Sequence, residues 1–228
     1  MTRAIVLTGT GRYDDPWHDF AATSHQIAAT LETGGIRCEI RGTKRRNFAD
    51  LADADLLIVN CGVGWGSSHP EDDSDWAQAH QALAEFIASP RPIIGIHTAS
   101  NTFHGVPGWY ERLGVVWEAG RSMHPPIGPA KVEIGSDEHP IVAGLEPFEL
   151  FDERYSHMHV ADGSSVLATH DLDGAAQPLV VARESAGRRT VYDALGHGAE
   201  SYRSAERRRL LLREAFWALG AEKALSTL

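Results

Sequence analysis

Three short apolar runs constrain this chain most: Ala4 to Gly9, Asp55 to Cys61 and Pro92 to His97. Each has the length of a strand, lacks polar–apolar alternation and ends in small or polar residues. Continuous hydrophobicity of this kind marks strands buried on both faces, as in a parallel sheet. Between them, Phe20, Ile27, Ala28 and Leu31 recur at helical spacing before Gly34-Gly35, and Trp76, Leu83, Phe86 and Ile87 mark another helix. With Arg37 to Arg41 as a further strand, the first half reads as repeated strand–helix units. Thr102 to Leu113 reads as a short helical stretch interrupted by Pro107. Further on, Val132 to Ile134, Val166 to Ala168, Leu179 to Ala182 and Thr190 to Ala194 read as strands, and a last helix runs from near Ser204 to Leu219. The pattern predicts an α/β fold: a three-layer α/β/α sandwich around a doubly wound, mostly parallel sheet. With no internal repeat or linker, residues 1–228 read as one domain.

Composition narrows the function classes. The net charge is −10, from 21 basic and 31 acidic side chains, and a negative field disfavours phosphate-backbone binding. Lys44-Arg45-Arg46 reads as a solvated loop and Arg207-Arg208-Arg209 as an exposed helix face. No segment approaches the roughly 18 apolar residues of a membrane span, and the N-terminus enters a strand pattern without a signal-peptide signature. Cys38 and Cys61 are too few for a disulfide framework and read as buried thiols. A cytoplasmic location follows as the expectation, with no nucleic-acid or membrane partner.

Polar and aromatic residues collect just after the strands. The first strand leads to Tyr13, Trp17 and His18; the third to Asn60, Trp65 and His69; the fourth to His97, Asn101 and His104; a late strand leads to Gly196-His197-Gly198. In a doubly wound sheet these loops share the ligand-binding rim at the carboxyl ends of the strands. Ile93-Ile94-Gly95-Ile96-His97-Thr98-Ala99-Ser100 is a strand–turn–helix setting that displays one residue on a sharp bend, and that residue is His97.

The strand Pro92-Ile93-Ile94-Gly95-Ile96-His97 resembles the elbow strand of class I glutamine amidotransferase-like domains, with His97 where those enzymes place cysteine. Three later stretches, His139 to Leu145, Phe151-Asp152-Glu153-Arg154-Tyr155 and Tyr192 to His197, occur in the order that resembles the trehalose-utilisation (ThuA-like) family. The resemblance covers nearly the whole chain. It implies a flavodoxin-like sandwich, a role in sugar catabolism and a pocket formed by His97, Asp152, Glu153, Tyr155 and His197. Ser89-Pro90-Arg91 stands where many members carry a longer glycine-rich run, and the segment Gly120 to Pro126 follows the less common members.

Adjacent strand residues face opposite ways, so Glu153 is expected to enter the pocket while Asp152 braces a loop. Tyr155 would share the Glu153 face; His157 and His159 continue the alternation and read equally as pocket residues or as an exposed polar edge. The candidate catalytic residues are therefore His97, His197 and Glu153, and the candidate sugar-binding residues are Trp17, His18, Asn60, Trp65, Asn101 and Tyr155. Trp109 is a further stacking candidate, and His139 reads as a turn residue. Two function classes remain. One is an enzyme, a hydrolase, lyase or isomerase, that uses His and Glu as acid and base on a sugar or keto-sugar. The other is a non-catalytic sugar-binding or regulatory module. A metal-dependent enzyme using His97, His197 and Glu153 or another histidine is a third. No H-E-x-x-H spacing supports it, so no cofactor is predicted and a divalent metal stays open, as does a homo-oligomer. Without a cysteine at the elbow, glutaminase activity is not expected.

Overall fold

The structure is a computed structural model and describes residues 2–63, 73–135 and 138–227. The parallel half of the sheet comes first along the chain. Strand β1 (Arg3–Thr8) leads to helix α1 (Phe20–Thr33) and then to β2 (Arg37–Gly42), β3 (Leu56–Asn60), α2 (Asp73–Ala88) and β4 (Ile93–Ile96). Ala4 to Leu7, Leu56 to Val59 and the three β4 isoleucines are fully buried. This explains the unbroken apolar runs. Helix α1 begins where the Asp19 carboxylate accepts the Ala22 N–H at 2.9 Å. It ends at Gly34-Gly35, where Gly35 takes φ +78°.

A short helix α3 (Trp109–Leu113) and strand β5 (Val115–Val116) follow. The rest comprises β6 (Gly128–Ile134), β7 (Phe148–Asp152), β8 (His159–Val160), β9 (Ser165–Leu172), β10 (Ala175–Ser185), β11 (Arg188–Asp193) and helix α4 (Ala205–Ala218). Among the described residues the main sheet has nine strands in the order β2-β1-β3-β4-β11-β10-β9-β6-β7, and β5 pairs with β8 separately. The pairs from β2 to β11 are parallel and those from β11 to β7 antiparallel. Only β10 and β6 therefore run against the common direction. Helix α1 packs on α4 and α2 on α3, giving the helical layers of the expected sandwich.

Two expectations need correction. The predicted helix from Thr102 forms only from Trp109. Pro107 and left-handed Gly108 (φ +78°) delay it. Arg207 does not belong to an exposed face: it is fully buried, with its guanidinium 2.9 Å from the equally buried Asp193. A basic triplet on a helix spans almost a full turn, so one of its members faces the sheet.

Sheet curvature sets up the site. Strand β7 lies four places from β11, about 19 Å away in a flat sheet at ~4.8 Å per strand. Yet Asp152, the last β7 residue, accepts the Gly196 N–H just beyond β11 at 2.7 Å. The antiparallel extension thus curls back and brings the end of β7 over the carboxyl ends of the parallel strands.

Candidate functional site

Several loops deliver side chains to one cleft of about 520 Å³, lined by Asp15, Trp17, His18, Asn101, Trp117, His124, Glu153, Tyr155 and His197 among others. His97 closes β4 at φ +48°, a left-handed conformation rare for a residue with a Cβ. It is held there at both ends. Its carbonyl accepts the Tyr192 hydroxyl at 2.9 Å, and its Nδ1 lies 2.6 Å from the Ala194 carbonyl. A carbonyl can only accept, so Nδ1 carries the proton, and in the neutral ring Nε2 presents its lone pair to the cleft.

His197 is placed from below. Asp193 accepts the Leu195 N–H at 2.9 Å, and Asp152 accepts the N–H groups of Glu153 (2.9 Å), Gly196 (2.7 Å) and His197 (3.0 Å). Gly196 adopts φ +115°, and a Cβ there would lie 2.7 Å from the Tyr202 hydroxyl. Only glycine permits this bend. Asp152 is therefore a brace that fixes Glu153 and His197 together. His18, on the loop after β1, sets its Nδ1 2.6 Å from Asp15 and packs edge-on to the rings of His97 and His197, 5.0 and 4.6 Å between centroids.

Glu153 sits at the centre. Its Oε2 is 3.3 Å from His97 Nε2 and 3.2 Å from His197 Nδ1, and its Oε1 is 3.6 Å from His124 Nδ1. Despite the short distances, His18 Nε2, His97 Nε2 and His197 Nδ1 are all buried without a hydrogen-bond partner. Burial pushes the Glu153 carboxyl up, but contact with His197 and His97 outweighs it and holds the group well below the usual carboxylate range. Burial lowers the His197 pKa, and Glu153, helped by Asp152 and Asp15, raises it above the ordinary histidine value. His18 is shifted down, by burial first and by the neighbouring imidazoles, against the pull of Asp15. The buried Tyr155 phenol is pushed well above its ordinary value by burial and by nearby Tyr192 and Glu153. Its ring lies 4.1 Å from that of His97.

Of the residues expected at the site, His97, His197, Glu153, His18, Trp17, Asn101 and Tyr155 converge on this cleft. Asn60 does not. Its amide turns away to Ser24 Oγ (2.8 Å) and Thr23 Oγ1 (2.9 Å) of α1, because the last residue of β3 faces the helix layer. Trp65 and His69 lie outside the described residues. Trp109 is a core residue, fully buried with its indole N–H on Ala99. His157 and His159 are exposed: β7 ends at Asp152, so the two-residue alternation does not continue. His139 is a turn residue, its Nδ1 accepting the Ile141 N–H. Asp15, Trp117 and His124 were not legible as site residues. His124 falls in the irregular segment Gly120 to Pro126, where no periodicity points anywhere.

The profile of the family described as "ThuA: Trehalose utilisation" matches residues 3–218. The chain belongs to the ThuA family. A search of curated proteins gives no match. Among solved structures, a ThuA-like protein from Parabacteroides merdae superposes with a TM-score of 0.75 at 20% identity, covering 96% of this chain and 90% of that one. A ThuA-like protein from Bacteroides uniformis gives 0.68 at 17% identity, with 96% and 91% covered. A glutamine amidotransferase from Thermotoga maritima gives 0.54 at 14% identity, with 99% and 94% covered. These likenesses establish for this ThuA-family chain the α/β fold that ThuA-like proteins share with glutamine amidotransferases. The family description points to carbohydrate metabolism. Among the described residues no helix is long and apolar enough to cross a membrane.

Proposed function

We propose that the cleft binds a sugar or keto-sugar and that Glu153, His197 and His97 move a proton on it. The observation that carries this reading is the paired environment of Glu153 and His197. The carboxylate is held ionised and the adjacent imidazole towards its protonated form, so a proton acceptor, weakened by this contact until substrate separates the pair, and a proton donor stand 3.2 Å apart facing one cavity. On a keto-sugar, Glu153 would take the proton from the carbon beside the carbonyl. The C–H electron pair would form a carbon–carbon double bond, and the carbonyl π pair would move to oxygen and take the proton of the His197 imidazolium. The resulting enol is common to isomerisation and to elimination of a glycosidic substituent.

The walls suit such a ligand. Trp17 is 60% exposed at the rim, Trp117 and Tyr155 offer flat surfaces, and Asn101, His124 and Asp15 offer hydrogen-bonding groups. Sugar hydroxyls need that many paired partners, since each one buried unpaired costs about 1–3 kcal/mol. An acidic chain favours a neutral substrate over a phosphorylated one. With histidine at the elbow and both thiols elsewhere, the reading excludes glutaminase chemistry.

The test is a turnover assay on 3-keto-glycosides, followed by NMR in deuterium oxide. His97→Ala and His197→Ala should fold normally and lose proton exchange at the carbon beside the carbonyl. Full exchange by both variants would refute the catalytic half. No sugar binding by the wild-type protein would refute the ligand half.

A further inference from the structure

The short contacts around Glu153 have a feature that proton transfer alone leaves unexplained. Three imidazole nitrogens, His18 Nε2, His97 Nε2 and His197 Nδ1, are buried without a hydrogen-bond partner. Each such atom carries a desolvation cost, and three at one point call for a shared partner. Those nitrogens and the Glu153 carboxylate belong to a set of four residues whose donor atoms all lie within 4.8 Å of one another. We propose that His18, His97, His197 and Glu153 bind one divalent transition-metal ion of the zinc class, at a position open to the cleft.

The distances fit. Four nitrogen or oxygen ligands at about 2.0–2.1 Å from a tetrahedral ion stand about 3.3 Å from each other. Glu153 Oε2 is 3.3 Å from His97 Nε2 and 3.2 Å from His197 Nδ1. These match ligand-to-ligand separations, and neither imidazole nitrogen has a hydrogen-bond partner. All four donor atoms lie within 4.8 Å of one another, so a modest contraction of the cluster brings them to ligand distance.

The groups behind the ligands fit as well. A metal-bound histidine usually donates its other ring N–H to a carboxylate or a backbone carbonyl, which fixes the tautomer. His18 Nδ1 has Asp15 at 2.6 Å, and His97 Nδ1 has the Ala194 carbonyl at 2.6 Å. Both rings are thereby set to present Nε2 as a lone pair. Three imidazoles and one carboxylate, with no thiolate, match zinc, and also cobalt, nickel or manganese, better than calcium or magnesium. The four ligands come from four separate loops, so no sequence motif announces them.

The inference deepens the preceding reading and rests on the same cleft. An ion held by these residues would take the place of the His197 proton in that reading and would supply the Lewis acid for the substrate oxygen, while Glu153, whose Oε1 lies 3.6 Å from His124 Nδ1, would still accept the proton from carbon.

The test needs no sugar. Purified full-length protein is stripped with chelator, then titrated with zinc chloride by calorimetry and with cobalt chloride by visible absorption. The expected result is one ion per chain and an intense cobalt spectrum of low-coordinate, nitrogen-ligated type. Asp15→Asn should weaken zinc binding by roughly 10- to 100-fold. His97→Ala and Glu153→Gln should weaken it further, while His104→Ala, a change outside the cluster, should leave it unchanged. If any variant fails to fold, the wild-type stoichiometry and cobalt spectrum decide alone. No binding by the folded wild type, a weak six-coordinate cobalt spectrum, or binding indifferent to both His97→Ala and Glu153→Gln would overturn the proposal. Ion binding without sugar turnover contradicts only the function proposed above, and sugar turnover by a wild-type protein that binds no ion contradicts only this inference.

Discussion

Asp152 is the residue through which fold and site are most directly coupled. It is fully buried at the end of β7 and accepts three backbone N–H groups, from Glu153, Gly196 and His197. Asp152→Ala leaves all three donors buried and unpaired. At about 1–3 kcal/mol each, with partial relaxation, the loss should be about 4–6 kcal/mol. Asp152→Asn keeps one acceptor oxygen but turns an amide donor towards another donor, and should cost about 2–4 kcal/mol. For a domain of this size each kcal/mol lowers Tm by about 2–4 °C, so the asparagine variant should melt on the order of 10 °C lower. Urea unfolding gives the free energy, and histidine NMR resonances report the site. His197 should shift strongly, because two of the three bonds hold its loop. A Cm and a His197 resonance both unchanged in Asp152→Asn would refute the claim that this carboxylate positions the site.

Arg207→Leu should cost about 3–5 kcal/mol in urea unfolding, since it leaves the buried Asp193 carboxylate without its cation; a loss under about 1 kcal/mol would contradict that pairing. Burial, with Asp193 beside it, pushes the Glu214 carboxyl well above its ordinary value of 4.5. Its stabilising contribution is therefore fully present below that value and is lost as pH rises towards the folded pKa. Glu214→Gln, a mimic of the protonated acid, should remove this loss, so parallel stability–pH profiles for variant and wild type would be the contrary result. Burial pushes the Cys61 and Cys38 thiols up to about 12, leaving a thiolate fraction near ~10⁻⁴ at pH 8. Iodoacetamide should then label neither cysteine in the folded protein and both in urea, and glutamine should release no ammonia. Rapid labelling of native Cys61, or ammonia release that depends on it, would contradict this.

What the sequence disclosed follows from where its signals were strong. Residues 4–7, 56–59 and 93–96 are buried on both faces, so their apolar runs were unbroken and the parallel half of the sheet could be read directly. His97 was legible because a strand running into small residues marks a sharp turn, and the turn is there at φ +48°. Asn60 ends a strand, but its side chain takes the helix face, which its place in the sequence does not reveal. Arg207 is charged yet buried, because the buried Asp193 pairs with it. Asp15 and His124 gave no signal: each gains its role only when the loop after β1 and the segment between β5 and β6 meet the ends of β4, β7 and β11. The pairing of Asp152 with Gly196 depends on a sheet that curls back on itself, and curvature accumulates over nine strands rather than residing in any short stretch of sequence.

The most direct test of the central claim, that His18, His97, Glu153 and His197 line a sugar site, is a crystal of this protein soaked with a slowly reacting 3-keto-glycoside. The account predicts ordered sugar in the cleft between Trp17 and Glu153, with its carbonyl oxygen directed at the histidine cluster. A sugar ordered at another surface, with that cleft holding only solvent, would contradict it.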